Sequence, residues 1–368
     1  MVTATWLDLV FLLASYLGAA LWVYRGWPRP QPEARLVKTR QDWPFVSIIV
    51  PARNEEKALP ILLQSLKKLN YPSYEVIVVD DESTDRTRQI AKALADQVIA
   101  GEKRPEAWAG KPWACHQGAQ LAKGEYLLFT DADTMHLPIS LQKSVHFMET
   151  TRADLASAVP YHANRGAWAR ILGPFQALLF ALTAPYQMPR KNRLFAIGQY
   201  LLFRRDYYQR SGGHVPVRDE FAEDLALAKH CLLQKANYRL HWDEVWYHVD
   251  MYETFGDFLR GWRRNFRQGM KHSGSLVFVE TVLLIAALIG AGQWGQSAYA
   301  WLPSLLSLWV IFVMQKKLGR FSIWSVIFFP VGLLVFIWTS VGAAADRLLN
   351  RQLVWKQRSY VSSLATED

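Results

Sequence analysis

Residues Leu127–Thr134 read LLFTDADT, an apolar run that stops at two aspartates spaced one apart. Carboxylates at i and i+2 on an extended chain point the same way, so Asp131 and Asp133 can aim at one divalent cation. A hard ion such as Mg²⁺ or Mn²⁺ takes oxygen ligands and commonly bridges carboxylates to substrate phosphates. Taken alone, the pair equally suits a turn after a strand, where aspartate is frequent. Two further acidic stations keep it company: Asp80-Asp81, which ends the run EVIVV (75–79), and Glu223-Asp224.

The elements around these stations alternate. Val46–Pro51 (VSIIVP) has the β-branched, apolar character of a buried parallel strand and stops at Pro51. Ala52–Glu56 (ARNEE) then leads into an amphipathic helix, with Leu59, Leu62, Leu63, Leu66 and Leu69 at helical spacing. Tyr71-Pro72 breaks that helix. Glu75–Val79 predicts a second buried strand, and a helix follows Asp80–Asp85. Helix capping accounts for Ser83 or Thr84, but not for two adjacent carboxylates on a strand tip. Strand, helix, strand, helix predicts a mostly parallel sheet, whose ligands sit at the carboxyl ends of its strands. Asp80, Asp81, Asp131 and Asp133 all fall at such ends.

VSIIVPARNEE (46–56), VIVVDDESTD (76–85), LLFTDADT (127–134) and FAEDLALA (221–228) resemble, in order, the blocks of the family 2 glycosyltransferases. These are inverting enzymes with a GT-A nucleotide-sugar fold, and the likeness covers roughly residues 45–270. It implies a nucleotide-sugar site at Pro51, Arg53, Glu55, Asp80, Asp81 and Asp131, with Glu55 and Asp80/Asp81 on the uridine and ribose of a UDP-sugar. It also implies Mg²⁺ or Mn²⁺ held by Asp131 and Asp133 on the diphosphate, and Asp224 as general base. These positions separate UDP from GDP donors poorly. The chemistry agrees with the layout. One carboxylate must take the acceptor's proton as its oxygen attacks the anomeric carbon, and a cation must neutralise the leaving diphosphate. Glu223-Asp224 also fits the plain acidic start of a helix (AEDLALAKHCLLQKA), where negative charge is worth about 0.3–1 kcal/mol.

Ala107–Ala114 (AWAGKPWA), followed by Gln117-Gly118-Ala119, resembles the GWxGKxxAxxxGA stretch of a sub-group acting on carotenoids, hopanoid-linked lipids and related glycolipids. Ala107 replaces a glycine there, which would disfavour a left-handed turn. Lys111, a cation beside the donor loop, suits a phosphate or nucleoside contact, or else a solvated surface position. Val354–Tyr360 (VWKQRSY) resembles the sub-group's WKGRxY ending. The QxxRW motif of related branches is altered to Arg260–Asn265 (RGWRRN), so an acceptor or diphosphate clamp would fall to Arg263 or Arg264, with Glu223 a further candidate. Ile197–Gln199 and Ser211–His214 resemble the family's glycine-bearing loops.

The remainder reads as membrane. Trp6–Tyr24 is apolar apart from Asp8 and long enough for a ~30 Å bilayer core. Arg25, Arg29, Arg35, Lys38 and Arg40 follow it, with Pro28, Pro30 and Pro32 stiffening a linker (27–44). The positive-inside rule then places a catalytic domain, residues 45–272, in the cytosol. Leu276–Ile289, Ala298–Met314 and Phe321–Ala345 predict further membrane segments within 273–346, and Arg347, Arg351, Lys356 and Arg358 a basic cytosolic tail. Four simple spans would leave that tail outside, so a re-entrant hairpin at Pro330 and Gly332 is expected in the last segment; an ordinary kinked span is the alternative. Residues 167–189 are expected to lie along the interface, with Trp168, Leu172, Phe175, Leu179 and Phe180 at the lipid boundary, or else to form a buried core helix. The net charge of +10 concentrates beside apolar segments, and the chain carries 16 tryptophans. Both suit anionic headgroups rather than nucleic acid. Two cysteines without ligand-like spacing support no zinc site or disulfide framework. The expected activity is sugar transfer to a membrane lipid hydroxyl, with a processive polysaccharide synthase or a non-catalytic membrane scaffold as alternatives.

Overall fold

The computed structural model describes residues 6–31, 42–183, 194–242, 245–272, 276–289, 298–349, 351, 353–355 and 358–360. Expectations about Pro32, Arg35, Lys38, Arg40 and Lys356 lie outside the described residues. Contacts divide the chain into a helical unit (Met1–Pro30, Tyr161–Phe195, His272–Ile337) and a sheet unit (Gln31–Pro160, Ala196–Lys271, Trp338–Asp368).

The chain starts in the helical unit with α1 (Trp6–Gly26). The sheet unit follows with β1 (Val46–Ala52), α2 (Leu59–Leu66), β2 (Tyr74–Asp80), α3 (Thr87–Leu94) and β3 (Gln97–Ala100). It goes on through α4 (Gly110–Leu121), β4 (Tyr126–Phe129), β5 (Thr134–His136), α5 (Ser140–Thr151) and β6 (Leu155–Ala158). β7 (Tyr161–His162), α6 (Ala167–Arg170) and α7 (Gly173–Thr183) belong to the helical unit. β8 (Leu201–Arg204), α8 (Arg205–Arg210), α9 (Glu223–Leu233), β9 (Tyr238–His241), β10 (Tyr247–Val249) and α10 (Phe255–His272) return to the sheet unit. α11 (Leu276–Ile289), α12 (Ala298–Leu318) and α13 (Trp324–Ile327) are helical-unit elements, α14 (Phe329–Leu348) runs from one unit into the other, and two short strands, Leu353–Trp355 and Arg358–Tyr360, pair antiparallel after it.

The main sheet has the order β3-β2-β1-β4-β8-β6-β9. All its pairings are parallel except those of β8, which runs against β4 and β6. β1 sits centrally and is buried along most of its length, as its β-branched run requires when helices cover both faces. Pro51 interrupts no essential pairing because it lies one residue from the strand's end. α2 starts with Pro60 in its first turn, where the missing N–H costs nothing, and buries Leu59, Leu62, Leu63 and Leu66. It ends at Leu66, so Leu69 is buried in the connection beyond it rather than on the helix.

The helical unit corrects one reading of the sequence. Gly173–Thr183 is packed inside the unit, which departs from the expected lipid-boundary placement of its side chains and agrees with the alternative of a buried helix. Phe175, Phe180 and Leu172 are buried, and of the five boundary candidates only Trp168 and Leu179 are half-exposed. α7 packs on α12 and α1, and Phe175 meets Phe336 edge-on with ring centres 5.7 Å apart. Phe175→Ala is therefore expected to cost about 3–5 kcal/mol and to lower the thermal midpoint in detergent. Nucleotide binding, whose candidate residues all lie in the sheet unit, should be unchanged when measured by calorimetry below that midpoint.

α1 joins α11 through Trp22, whose indole donates to Leu284 O at 3.0 Å, and through a buried Arg25–Glu280 ion pair. Gly18 makes the approach possible, since a Cβ there would fall 1.9 Å from Leu283 O. Pro330 and Gly332 do not reverse the chain. They lie in the first turn of α14, an uninterrupted helix whose break from α13 falls at Phe328. Pro is tolerated at a helix start, so the chain does not turn back at these two residues as expected. Asp8–Gly26 and Phe329–Leu348 are long and apolar enough to cross a membrane by length and composition.

Candidate active site

Two loops at the carboxyl edge of the sheet are laced together. Asn54, in the left-handed region at φ 52°, donates its N–H to Ser83 Oγ at 3.1 Å and accepts from Thr84 N at 2.8 Å. Glu55 N–H donates to Thr87 Oγ1 at 2.7 Å, and Glu56 N–H to Asp85 Oδ2 at 3.1 Å. Ser83 and Thr84 thus bind across to the β1 loop rather than capping α3. Asp85 takes the first helical N–H, that of Thr87, at 2.9 Å. Arg53 donates to the carbonyls of Asp81 and Glu82 at 2.6 and 3.2 Å. Asp80 and Asp81 are buried at the tip of β2, with Asp80 O accepting Gly101 N–H from the end of β3. Pro51, Arg53, Glu55, Asp80 and Asp81 therefore form one cluster over the ends of β1 and β2.

The second station hangs from β4. Asp131 closes a turn, its carbonyl accepting the Thr134 hydroxyl at 2.9 Å. Thr130 fixes that turn from beneath: its hydroxyl donates to Gln199 O at 2.8 Å and lies 2.9 Å from His136 Nε2. His136 is buried against Tyr200 and Tyr247, and burial pushes its imidazole down to about 3. With the threonine proton given to Gln199 O, His136 Nε2–H is left to donate to Thr130 Oγ1.

The third station opens α9 and meets the second through one lysine. Lys111 Nζ lies 2.7 Å from Asp131 Oδ1 and 2.7 Å from Glu223 Oε1. Lys111 is neither a solvated surface lysine nor, in this state, a free phosphate ligand. Burial pulls its ammonium down, but Asp131, Glu223 and Asp224 outweigh that and hold it well above the usual lysine range. Burial pushes Glu223 up to about 7, against the pull of Lys111. Asp224 is also raised by burial, against Lys111 and two backbone donors. Those donors are Gly198 N–H to Oδ2 at 2.8 Å and Leu225 N–H to Oδ1 at 2.7 Å. They fix the plane of the carboxylate. Asp224 is half-exposed where Glu223 is buried, so Asp224 is the member of the pair that an acceptor can reach.

Gly198 is not among the expected site residues, although Ile197–Gln199 resembles one of the family's glycine-bearing loops. A Cβ there would come 2.6 Å from Lys111 Nζ, 3.0 Å from Glu223 Oε1 and 3.6 Å from Asp224 Cβ. With Asp224 as the expected base, Gly198→Ala should displace the ammonium and tilt that carboxylate, lowering the expected sugar transfer by roughly 10²-fold, as small misplacements do. Nucleotide affinity should change far less, which a kcat and KM measurement on the donor would separate.

Of the two arginines on α10, Arg263 does not serve the site. Its guanidinium is paired with Asp346 in α14, one hydrogen bond measuring 2.8 Å. Arg264 lies over Phe221, two residues before the acidic pair, 5.3 Å from the ring centre, and beside Tyr252. Successive helical residues point about 100° apart, so one of the two must face away. Ala107 has no left-handed φ, so its replacement of glycine costs nothing in this backbone.

The donor set tests the expected cation. Asp131 and Asp133 offer hard oxygen ligands, which suit Mg²⁺ or Mn²⁺. Among the described residues no group of three or more His, Cys, Asp or Glu is gathered to hold a metal. The pair therefore fits an ion whose remaining ligands come from substrate phosphates and water, as Mg²⁺ commonly arranges.

A mostly parallel sheet with carboxylates along its carboxyl edge and an acidic pair facing them has the architecture of a nucleotide-sugar-binding GT-A domain. Residues 47–212 match the profile of Glycosyl transferase family 2. The 4,4'-diaponeurosporenoate glycosyltransferase of Staphylococcus haemolyticus (strain JCSC1435) is 25% identical over 335 residues, covering 86% of this chain and 88% of that protein. The protein of the same name from Staphylococcus aureus (strain USA300) is also 25% identical, over 337 residues, with the same shares covered. Among solved structures, the mannosyltransferase PcManGT from Pyrobaculum calidifontis, in complex with GDP-Man and Mn²⁺, aligns with TM-score 0.54 and 20% identity, covering 94% of this chain and 96% of that one. That likeness is one of fold.

Proposed function

We propose that this chain is a membrane-bound, metal-dependent, inverting glycosyltransferase that moves one sugar from a nucleotide-sugar donor, UDP-linked by the resemblance of its donor blocks, to a carotenoid-type lipid acceptor. The observation that carries the reading is the meeting of Asp131 and Glu223-Asp224 around Lys111, which puts a diphosphate station and a base station in one site.

Pro51, Arg53, Glu55 and the Asp80-Asp81 tip hold the nucleoside. Asp131 and Asp133 hold Mg²⁺ or Mn²⁺, which when bound offsets charge on the leaving diphosphate. Asp224, oriented by Gly198 and Leu225, takes the hydroxyl proton as the acceptor oxygen bonds to the anomeric carbon. The bond from that carbon to the diphosphate oxygen breaks on the opposite face, and its electron pair leaves with the nucleoside diphosphate. Arg264, near Phe221 and the acidic pair, is the remaining candidate for an acceptor or diphosphate contact.

The lipid side of the reading rests on exposed apolar side chains along the helices. Leu9, Phe11, Leu13 and Leu17 of α1, Phe278 and Val282 of α11, Trp309 of α12, and Leu334, Trp338 and Val341 of α14 are all exposed. Apolar surface of this extent suits lipid. With α1 crossing the bilayer, Arg25 in its last turn and Arg29 just beyond it place the sheet unit on the cytosolic side by the positive-inside rule. The carotenoid-type acceptor comes from the names of the relatives.

The test is acceptor dependence. Detergent-solubilised protein given a panel of UDP- and GDP-sugars should release nucleoside diphosphate when a hydroxylated or carboxylated carotenoid is added. Release that needs no lipid, with a growing glycan as product, would instead identify a processive synthase.

A further inference from the structure

Lys111 sits where a lysine is not expected to rest. It is the second residue of α4, and the N-terminus of a helix disfavours a cation. What holds it is the acidic cluster: 2.7 Å contacts to Asp131 and to Glu223, with Asp224 also within its field. Gathering such charges costs free energy unless a cation lies among them. Gly198 leaves room for that cation, because a Cβ would stand 2.6 Å from the ammonium.

We propose that Lys111 is a resident counter-cation: in the donor-free protein its ammonium ties Asp131 to Glu223 and competes with the divalent ion for Asp131, so that the ion binds well only together with a nucleotide diphosphate. The inference rests on the reading of Asp131 and Asp133 as the ion's carboxylates. Donor arrival resolves the competition. The diphosphate brings new negative charge, the ion takes Asp131, and the flexible lysine stem can swing its ammonium onto a phosphate oxygen while keeping Glu223 within reach. Lys111 thereby acts as a positioning residue that orders binding and keeps a bare ion from occupying the site unproductively.

Calorimetry on the full-length protein in detergent tests this with MnCl₂ alone and with MnCl₂ plus UDP or GDP. Wild-type protein should bind Mn²⁺ weakly alone and tightly with the nucleotide. Lys111→Met should bind Mn²⁺ alone about tenfold more tightly, a change of about 1.4 kcal/mol, while its affinity for the Mn²⁺–nucleotide pair falls. Lys111→Gln should do the same, which keeps the test readable if the methionine variant does not fold. Neutral variants that are folded by thermal melting, yet bind free Mn²⁺ no better than wild type, would overturn the counter-cation role while leaving the metal reading intact. Wild-type protein that binds no Mn²⁺ even with nucleotide would overturn both.

Discussion

Asp224→Asn is expected to leave binding of Mn²⁺ and nucleotide at wild-type strength while transfer to a hydroxyl acceptor falls by about 10²–10⁴, the usual worth of a general base. The substitution is nearly isosteric and still accepts one of the two backbone hydrogen bonds, from Gly198 or Leu225, that fix the side chain. What it removes is the proton acceptor. Glu223 cannot easily replace it, being buried and already engaged by Lys111. The acceptor's chemistry sharpens the expectation. The relatives are named for a carboxylate, diaponeurosporenoate, and an ionised carboxylate brings no proton to remove. A hydroxycarotenoid should therefore suffer the full loss, and a carotenoid acid far less. Calorimetry beside a transfer assay on both acceptor types measures this. Near-wild-type transfer to a hydroxyl would remove Asp224 from the role, and Glu223 would be next in line.

Asp133→Asn is expected to act at the opposite end of the reaction. Losing one of two cation-holding carboxylates should weaken the nucleotide diphosphate by roughly 10²-fold, because the cation is the main partner of those phosphates and contributes several kcal/mol. Asp224 keeps its orienting donors in this variant, so residual turnover at saturating donor and Mn²⁺ should recover partly. An Asp133→Asn protein that still binds the Mn²⁺–nucleotide pair tightly would shift the ion onto Asp131 alone. The two variants thus separate binding from chemistry: one loses affinity, the other loses rate.

Much of this was legible because the signal is local. An apolar run ending in Asp-Asp or in DxD marks a strand tip, and the parallel sheet follows from strand and helix alternation. The lacing of the 52–56 and 80–85 loops was not legible, and Ser83 and Thr84 read as caps although they bond across to Asn54. Lys111 joins Asp131 and Glu223 over long sequence separations, which no spacing rule reports. Phe175 and Phe180 show a different limit. An apolar helix that faces lipid and one that is buried among other apolar helices have the same composition, so only packing separates them. At 321–345 hydropathy runs α13, its break and most of α14 together into one segment, which puts Pro330 in the middle instead of in the first turn. Arg263 and Arg264 are adjacent in sequence, and only the position of Asp346 decides which one is drawn away.

Mass spectrometry of the reaction product tests the central claim most directly. Purified protein is given a carotenoid acceptor, Mn²⁺ and the nucleotide sugar that supports turnover, with Asp133→Asn at limiting donor as the control. The expected product is the carotenoid carrying a single added sugar, strongly reduced in the control. A ladder of successive sugar additions, a polymer free of carotenoid, or sugar transfer that is unchanged when the carotenoid is left out would contradict the account.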